Sequence, residues 1–188
     1  MNNKTKKIAV LAMLTAMAFV LFLLEIPLIP GNSYLKMDLS DIPALAGGIL
    51  LSPLATVIIE ALKNIIELLV KGLGSQMGFG NIMNFIVGAA YTLTFTLVYN
   101  KLKEKKKTEI ALLISSISGF LAIVVFGIAG NYFIAPLFFK YFLSIELSTE
   151  ALWAAVWSGT VMNIIKGIFL SIVSFPLIKV VCKRIKLI

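Results

Sequence analysis

The chain has 188 residues, of which 60% are hydrophobic and only 14% charged, with a mean hydropathy of +1.00. Soluble domains are nearer half apolar and a quarter charged, so this composition excludes an ordinary soluble protein and specifies an integral membrane one. The 17 Lys and Arg outnumber the 9 Asp and Glu for a net charge of +8, yet the basic residues gather at the ends of apolar segments, so nucleic acid is not an expected partner.

A single transmembrane domain over residues 1–188 is expected. The N-terminal MNNKTKK and the apolar run behind it resemble a signal peptide with Ala16-Met17-Ala18 as cleavage site, but the run continues to Leu24, which predicts a retained first span. That span covers about Ile8–Ile29, ended by Pro27 and Pro30, and meets the ~20 residues needed to cross a bilayer. Ala9, Ala12 and Ala16 form a small-residue strip along it, suited either to internal helix packing or to docking a partner helix. Glu25 is expected to be solvated at the outer end.

The next stretch, Leu35–Gly48 (LKMDLSDIPALAGG), carries Lys36, Asp38 and Asp41 between two apolar segments. Ser40 or Asp41 is a candidate cap for a helix with Pro43 in its first turn. Ala44, Gly47 and Gly48 give that helix a flat face for close approach by a backbone or ligand. A charged, conformationally fixed loop between membrane segments is expected to act as a lid over a ligand site.

Ile42–Leu51 is too short to cross alone, Leu51-Ser52-Pro53 breaks it, and Leu54–Val70 returns. Glu60, Lys63, Asn64, Glu67 and Lys71 fall on one face of this third segment. A charge exposed to lipid at mid-span costs ~3 kcal/mol, so the stripe must face protein or water, as an internal salt-bridge ladder or as ligand contacts. Gly72–Gly80 (GLGSQMGFG) is a turn and lacks the Gly-Lys-Ser/Thr of a phosphate loop. The fourth span, about Asn81–Asn100, aligns Asn81, Asn84, Gly88 and Tyr91. Such amides must find partners, whether a ligand or a neighbouring helix.

Three basic clusters, Lys4–Lys7, Lys101–Lys107 and Lys179–Lys186, hold twelve of the seventeen Lys and Arg. Six spans place all three on the cytoplasmic side, with Leu35–Gly48, Gly72–Gly80 and Asn131–Glu150 outside. The fifth span is about Glu109–Gly130, followed by an aromatic-rich stretch from Tyr132 to Phe142 that reads as an interfacial belt; Asn131 stands at its mouth. The last span, Ala151–Phe175, starts with Trp153 as an interfacial anchor and Trp157 as a residue expected to turn toward the site. Deeper, Asn163 and Lys166 share a face with Gly159, Gly167, Leu170, Ser171 and Ser174. Lys166 lies ~22 Å along this helix, and an intramembrane lysine marks a functional site, with Glu60 or Glu67 as its expected partner carboxylate.

With no histidine and a lone cysteine, Cys182, the chain lacks the usual general base and has no metal or disulfide framework. No nucleophile elbow or nucleotide loop occurs. A lipid-modifying membrane enzyme, motivated only by Glu60 and Glu67, is the alternative of a different class. A scaffold that binds partners and no ligand is a third.

LKMDLSDIPALAGG, the Glu60–Glu67 segment, Gly130-Asn131-Tyr132-Phe133-Ile134-Ala135-Pro136 and Asn163-Ile164-Ile165-Lys166-Gly167 resemble, in order along essentially the whole chain, the riboflavin-specific S components of energy-coupling-factor (ECF) transporters. The resemblance implies a non-enzymatic bacterial subunit of the cell membrane that captures riboflavin from outside as substrate rather than cofactor. It implies work with a transmembrane T component and two ATP-binding subunits, Ala12 and Ala16 docking the T component. A flavin needs an apolar slot and several polar partners. Asn131, Asn163 and Lys166 supply donors, Asn81 and Asn84 are further candidates, and the loop around Leu35, Met37, Asp38 and Leu39 closes the slot. Another vitamin is the alternative within the same family.

Overall fold

The computed structural model describes residues 3–27, 36–72 and 78–184, and there the hydropathy pattern resolves into six helices and one short antiparallel pairing. The helices are α1 (Asn3–Leu23), α2 (Asp41–Leu50), α3 (Pro53–Lys71), α4 (Phe79–Leu102), α5 (Thr108–Phe142) and α6 (Thr149–Arg184). Four of them, α1, α4, α5 and α6, are long and apolar enough to cross a membrane. Helix α3 fails that test through its charges alone: at 19 residues it is about 28 Å long, and Glu60, Lys63 and Glu67 are buried inside the bundle.

Several boundaries differ from the sequence expectation, among them the last helix, expected to end at Phe175 but continuing through Pro176 to Arg184. The first helix stops at Leu23, because Ile26 and Pro27 pair in antiparallel register with Met37 and Lys36; the residue before a proline disfavours helix and accepts extended backbone. The fifth helix does not end near Gly130 but runs 35 residues to Phe142, through Pro136. Tertiary packing overrides the glycine and proline signals there. Gly130 abuts Met83 of α4, and the rings of Phe138 and Phe142 lie 5.2 and 5.1 Å from Phe79. The expected external segment Asn131–Glu150 therefore shrinks to residues 143–148. At about 52 Å, α5 exceeds the ~30 Å hydrocarbon thickness and must project beyond it or tilt. Gly72 ends α3 at φ 74° and Gly78 precedes α4 at φ 80°, both in the left-handed region that glycine enters without a steric penalty.

Helix α4 packs on α5 and α5 on α6, while α3 bridges α4 and α1. Tyr91, Phe95 and Tyr99 descend one face of α4 into a core with Leu45, Leu112, Ile123, Leu170 and Ile178. The short helix α2 is wedged among α1, α3 and α4 and reaches α6. Its flat face of Ala44, Gly47 and Gly48 is taken up by neighbouring helices, Ile59 and Thr56 of α3 and Thr96 of α4, rather than left open to a ligand. This placement carries the acidic start of α2 into the bundle.

Candidate functional site

The site is assembled where α2 begins. Asp38 accepts a hydrogen bond from the Ser40 N–H at 2.8 Å, a local side-chain-to-backbone turn that ends the loop and starts the helix. Neither Ser40 nor Asp41 caps α2 through its own side chain, contrary to expectation. Both are drawn inward instead. Lys63 of α3 donates to Ser40 Oγ at 2.6 Å and to the Asp41 carboxylate. Its ammonium also lies 2.7 Å from Glu60, one turn earlier on α3, and 5.7 Å from the ring centroid of Phe22. Glu60 and Asp41 come together over Gly88, where a Cβ would meet their carboxylate oxygens at 2.5 and 3.0 Å.

Lys166 enters this cluster from α6. Its Nζ lies 2.9 Å from Asp41 and 3.7 Å from Asp38. The partner is thus the loop and the start of α2, not Glu60 or Glu67 as the sequence suggested. Asp38, Asp41, Glu60, Lys63 and Lys166 are all buried. Such charges persist away from water only when paired and hydrogen-bonded.

A second polar group lies outward along α3. Asn81 donates to Glu67 at 2.6 Å and to the Asn64 carbonyl at 3.2 Å, so its amide ties α4 to α3. Glu67 also pairs with Lys71 at 3.1 Å, and Lys71 with Glu25 at 3.3 Å. Glu25 is therefore paired rather than merely solvated. Asn84 reaches Asp38 at 3.4 Å, and its carbonyl oxygen is buried without a partner among the described residues. The Glu60–Lys71 stripe is largely an ion-pair ladder, extended by residues of other elements.

Asn131 and Asn163 both lie in the seam of α5 and α6, each against a glycine of the other helix. Asn131 donates to the Gly127 carbonyl at 2.9 Å, and the Asn163 amide rests against Gly127. Asn163 is 7% exposed and makes no hydrogen bond among the described residues. It stands one turn before Lys166. Trp157 does not turn toward this region; it is 61% exposed, because the opposite face of α6 carries Asn163 and Lys166 inward. Met37 and Leu39 are half-buried beside Asp38, whereas Leu35 lies outside the described residues. An open groove of about 490 Å³ between α5 and α6, lined by residues such as Leu113, Ile117, Phe120 and Ile172, carries no charge and none of these amides.

Ala12 and Ala16 are exposed on α1, flanked by exposed Met13, Met17 and Val20, while Thr15 and Ala18 face the bundle. Among the described residues Ala12 and Ala16 are not packed inside the bundle, while Ala9 is half-buried. Among the described residues no group of His, Cys, Asp or Glu is placed to hold a metal ion.

Sequence reasoning did not place Asp41 at the centre of this charge cluster, because an acidic side chain at a helix start reads as a cap. It also passed over one available signal. Gly127-x-x-x-Asn131 and Gly159-x-x-x-Asn163 repeat the same spacing on successive helices.

Comparison with known proteins agrees over nearly the full length. The family model described as "ECF transporter, substrate-specific component" matches residues 6–178. The riboflavin transporter FmnP of Bacillus subtilis is 34% identical over 171 residues, covering 90% of this chain and 88% of that protein. The riboflavin transporter RibU of Staphylococcus aureus is 30% identical over 172 residues, 91% and 87% of the two chains. A solved S component of a bacterial ECF transporter superposes with a TM-score of 0.72, at 28% identity, over 98% of this chain and 100% of that one.

Proposed function

Since the chain belongs to the substrate-specific components of ECF transporters, membrane proteins that carry a substrate rather than transform one, we propose that it captures riboflavin at the outer side of the membrane. The observation that carries this reading is the placement of Asn131 and Asn163 along the seam of α5 and α6, the latter one turn from the Lys166 that pairs with Asp38 and Asp41, with the Asn163 amide making no hydrogen bond among the described residues. An amide in a membrane bundle that no protein group engages is available to hydrogen-bond a ligand.

The charge balance suits this substrate. Three buried carboxylates, Asp38, Asp41 and Glu60, face two ammonium groups, Lys63 and Lys166. No positive excess is left for an anion, so Lys166 serves as a neutralised hydrogen-bond donor, fit for an uncharged flavin. In this reading Asn131, Asn163 and Lys166 bond the polar edge of the ring system and the ribityl hydroxyls. The segment Leu35–Leu39 closes over the ligand, with Asp38 holding it to Lys166. Asn81 and Asn84 brace the wall from α4.

The helices run alternately outward and inward, with the ten-residue α2 making the inward turn after α1 only as a short segment buried in the bundle, so that both termini are cytoplasmic, as the three basic clusters favour, and residues 1–188 form one substrate-binding unit. The exposed Ala12–Ala16 strip docks a transmembrane T component, and two ATP-binding subunits supply the energy for inward release.

The test is the visible absorption spectrum of protein purified in mild detergent from riboflavin-replete cells. A flavin spectrum that survives washing is expected. A colourless protein that also fails to quench the fluorescence of added riboflavin would overturn the substrate assignment and point to a different vitamin.

A further inference from the structure

Gly127 and Asn131 are four residues apart on α5, and Gly159 and Asn163 are four apart on α6, so each pair shares one face of its helix. The helices are joined by the short connection 143–148 and run antiparallel. The two pairs therefore oppose each other in reverse order. Asn163 lies against Gly127, and Asn131 lies against Gly159.

The fit is close at both positions. A Cβ on Gly127 would meet Asn163 Cγ at 2.9 Å and Cβ at 3.3 Å. A Cβ on Gly159 would meet Asn131 Cγ at 2.7 Å and Oδ1 at 2.8 Å. In each case the nearest obstructed atoms belong to an amide group rather than to backbone; only the Asn163 Cβ, the most distant of those at Gly127, is fixed by the backbone. Gly167 on the same helix differs, since its bare face meets Ile123 and Phe120, which is ordinary apolar packing. Gly127 also fixes the other amide, because its carbonyl accepts the Asn131 hydrogen bond at 2.9 Å.

We propose that Gly127 and Gly159 are positioning residues for substrate recognition, each holding open the space in which one binding amide, Asn163 or Asn131, takes its working orientation. This rests on the riboflavin reading above. A methyl group at either glycine turns the opposing amide away while the backbone stays in place, so binding suffers more than folding. An amide driven off its rotamer loses a well-placed hydrogen bond to the ligand.

The test is a double-mutant cycle on purified full-length protein, with riboflavin fluorescence quenching as the probe and a thermal melt beside it. Gly127→Ala should weaken riboflavin binding about tenfold with little change in melting temperature. In the Asn163→Ala background the same change should have no effect on affinity, since no amide remains to displace. Gly159→Ala with Asn131→Ala should behave in parallel. Unchanged affinity in Gly127→Ala and Gly159→Ala, or equal losses in both backgrounds, would overturn the proposal while leaving riboflavin capture intact. Alanine variants that failed to purify as folded protein would overturn it too, because backbone rather than amide would have yielded. Wild-type protein that bound no riboflavin would overturn the functional reading and this inference with it.

Discussion

Lys166 Nζ lies 2.9 Å from Asp41 Oδ2, across 125 residues of sequence, with both side chains buried. This contact joins the last helix to the start of the second, and so couples the segment after α1 to the wall that carries Asn163. Removing one member of a buried pair strands the other, which destabilises a fold by about 3–5 kcal/mol.

Lys166→Met should therefore lower the melting temperature and weaken riboflavin binding by at least about tenfold, the loss of a charge-assisted donor. Adding Asp41→Asn should restore much of the thermal stability but not the affinity. Melting curves and fluorescence titration of the single and double variants check both parts. Full recovery of binding in the double variant would show that Lys166 serves the fold alone.

Lys63 has a different part. It contacts Ser40, Asp41 and Glu60 at the base of the cluster. Lys63→Met leaves two carboxylates buried without their common cation and should destabilise by about 3–5 kcal/mol. Glu25→Gln, which removes a half-exposed pair with Lys71, should change stability by less than about 1 kcal/mol. Comparable melting shifts in the two variants would contradict this division between buried core and rim.

The charge balance also predicts selectivity. A phosphorylated flavin brings a dianion toward a cluster with no positive excess, so it should bind at least about tenfold more weakly than riboflavin, a difference of ~1.4 kcal/mol. Competition titration against riboflavin reads this directly. Equal affinities would place the phosphate end away from Lys166.

Ala12→Leu combined with Ala16→Leu should abolish cellular riboflavin uptake and leave binding by the isolated subunit unchanged. Both alanines are exposed, so added bulk meets a partner and not this chain's core. Uptake that survived would remove the strip from the docking surface.

The legibility of the sequence followed the range of the forces involved. Helix α3 shows its inward face through period alone, because charges in a membrane segment have nowhere else to go. The inward polar face of α6, with Asn163 and Lys166, is legible in the same way. The end of α5 was misread, since Gly130 and Pro136 break helices locally and only contacts with Met83, Phe79 and Gly159 outweigh them.

The sequence by itself determined the membrane class, the polar faces and the absence of histidine chemistry, because hydropathy and helical period are properties of consecutive residues. Tertiary structure alone decided that Lys166 pairs with Asp41 rather than Glu60 or Glu67, and that two glycine–asparagine repeats interlock. Partner choice among buried charges depends on distances of a few ångströms between helices. Those distances are set by packing, which no single segment encodes.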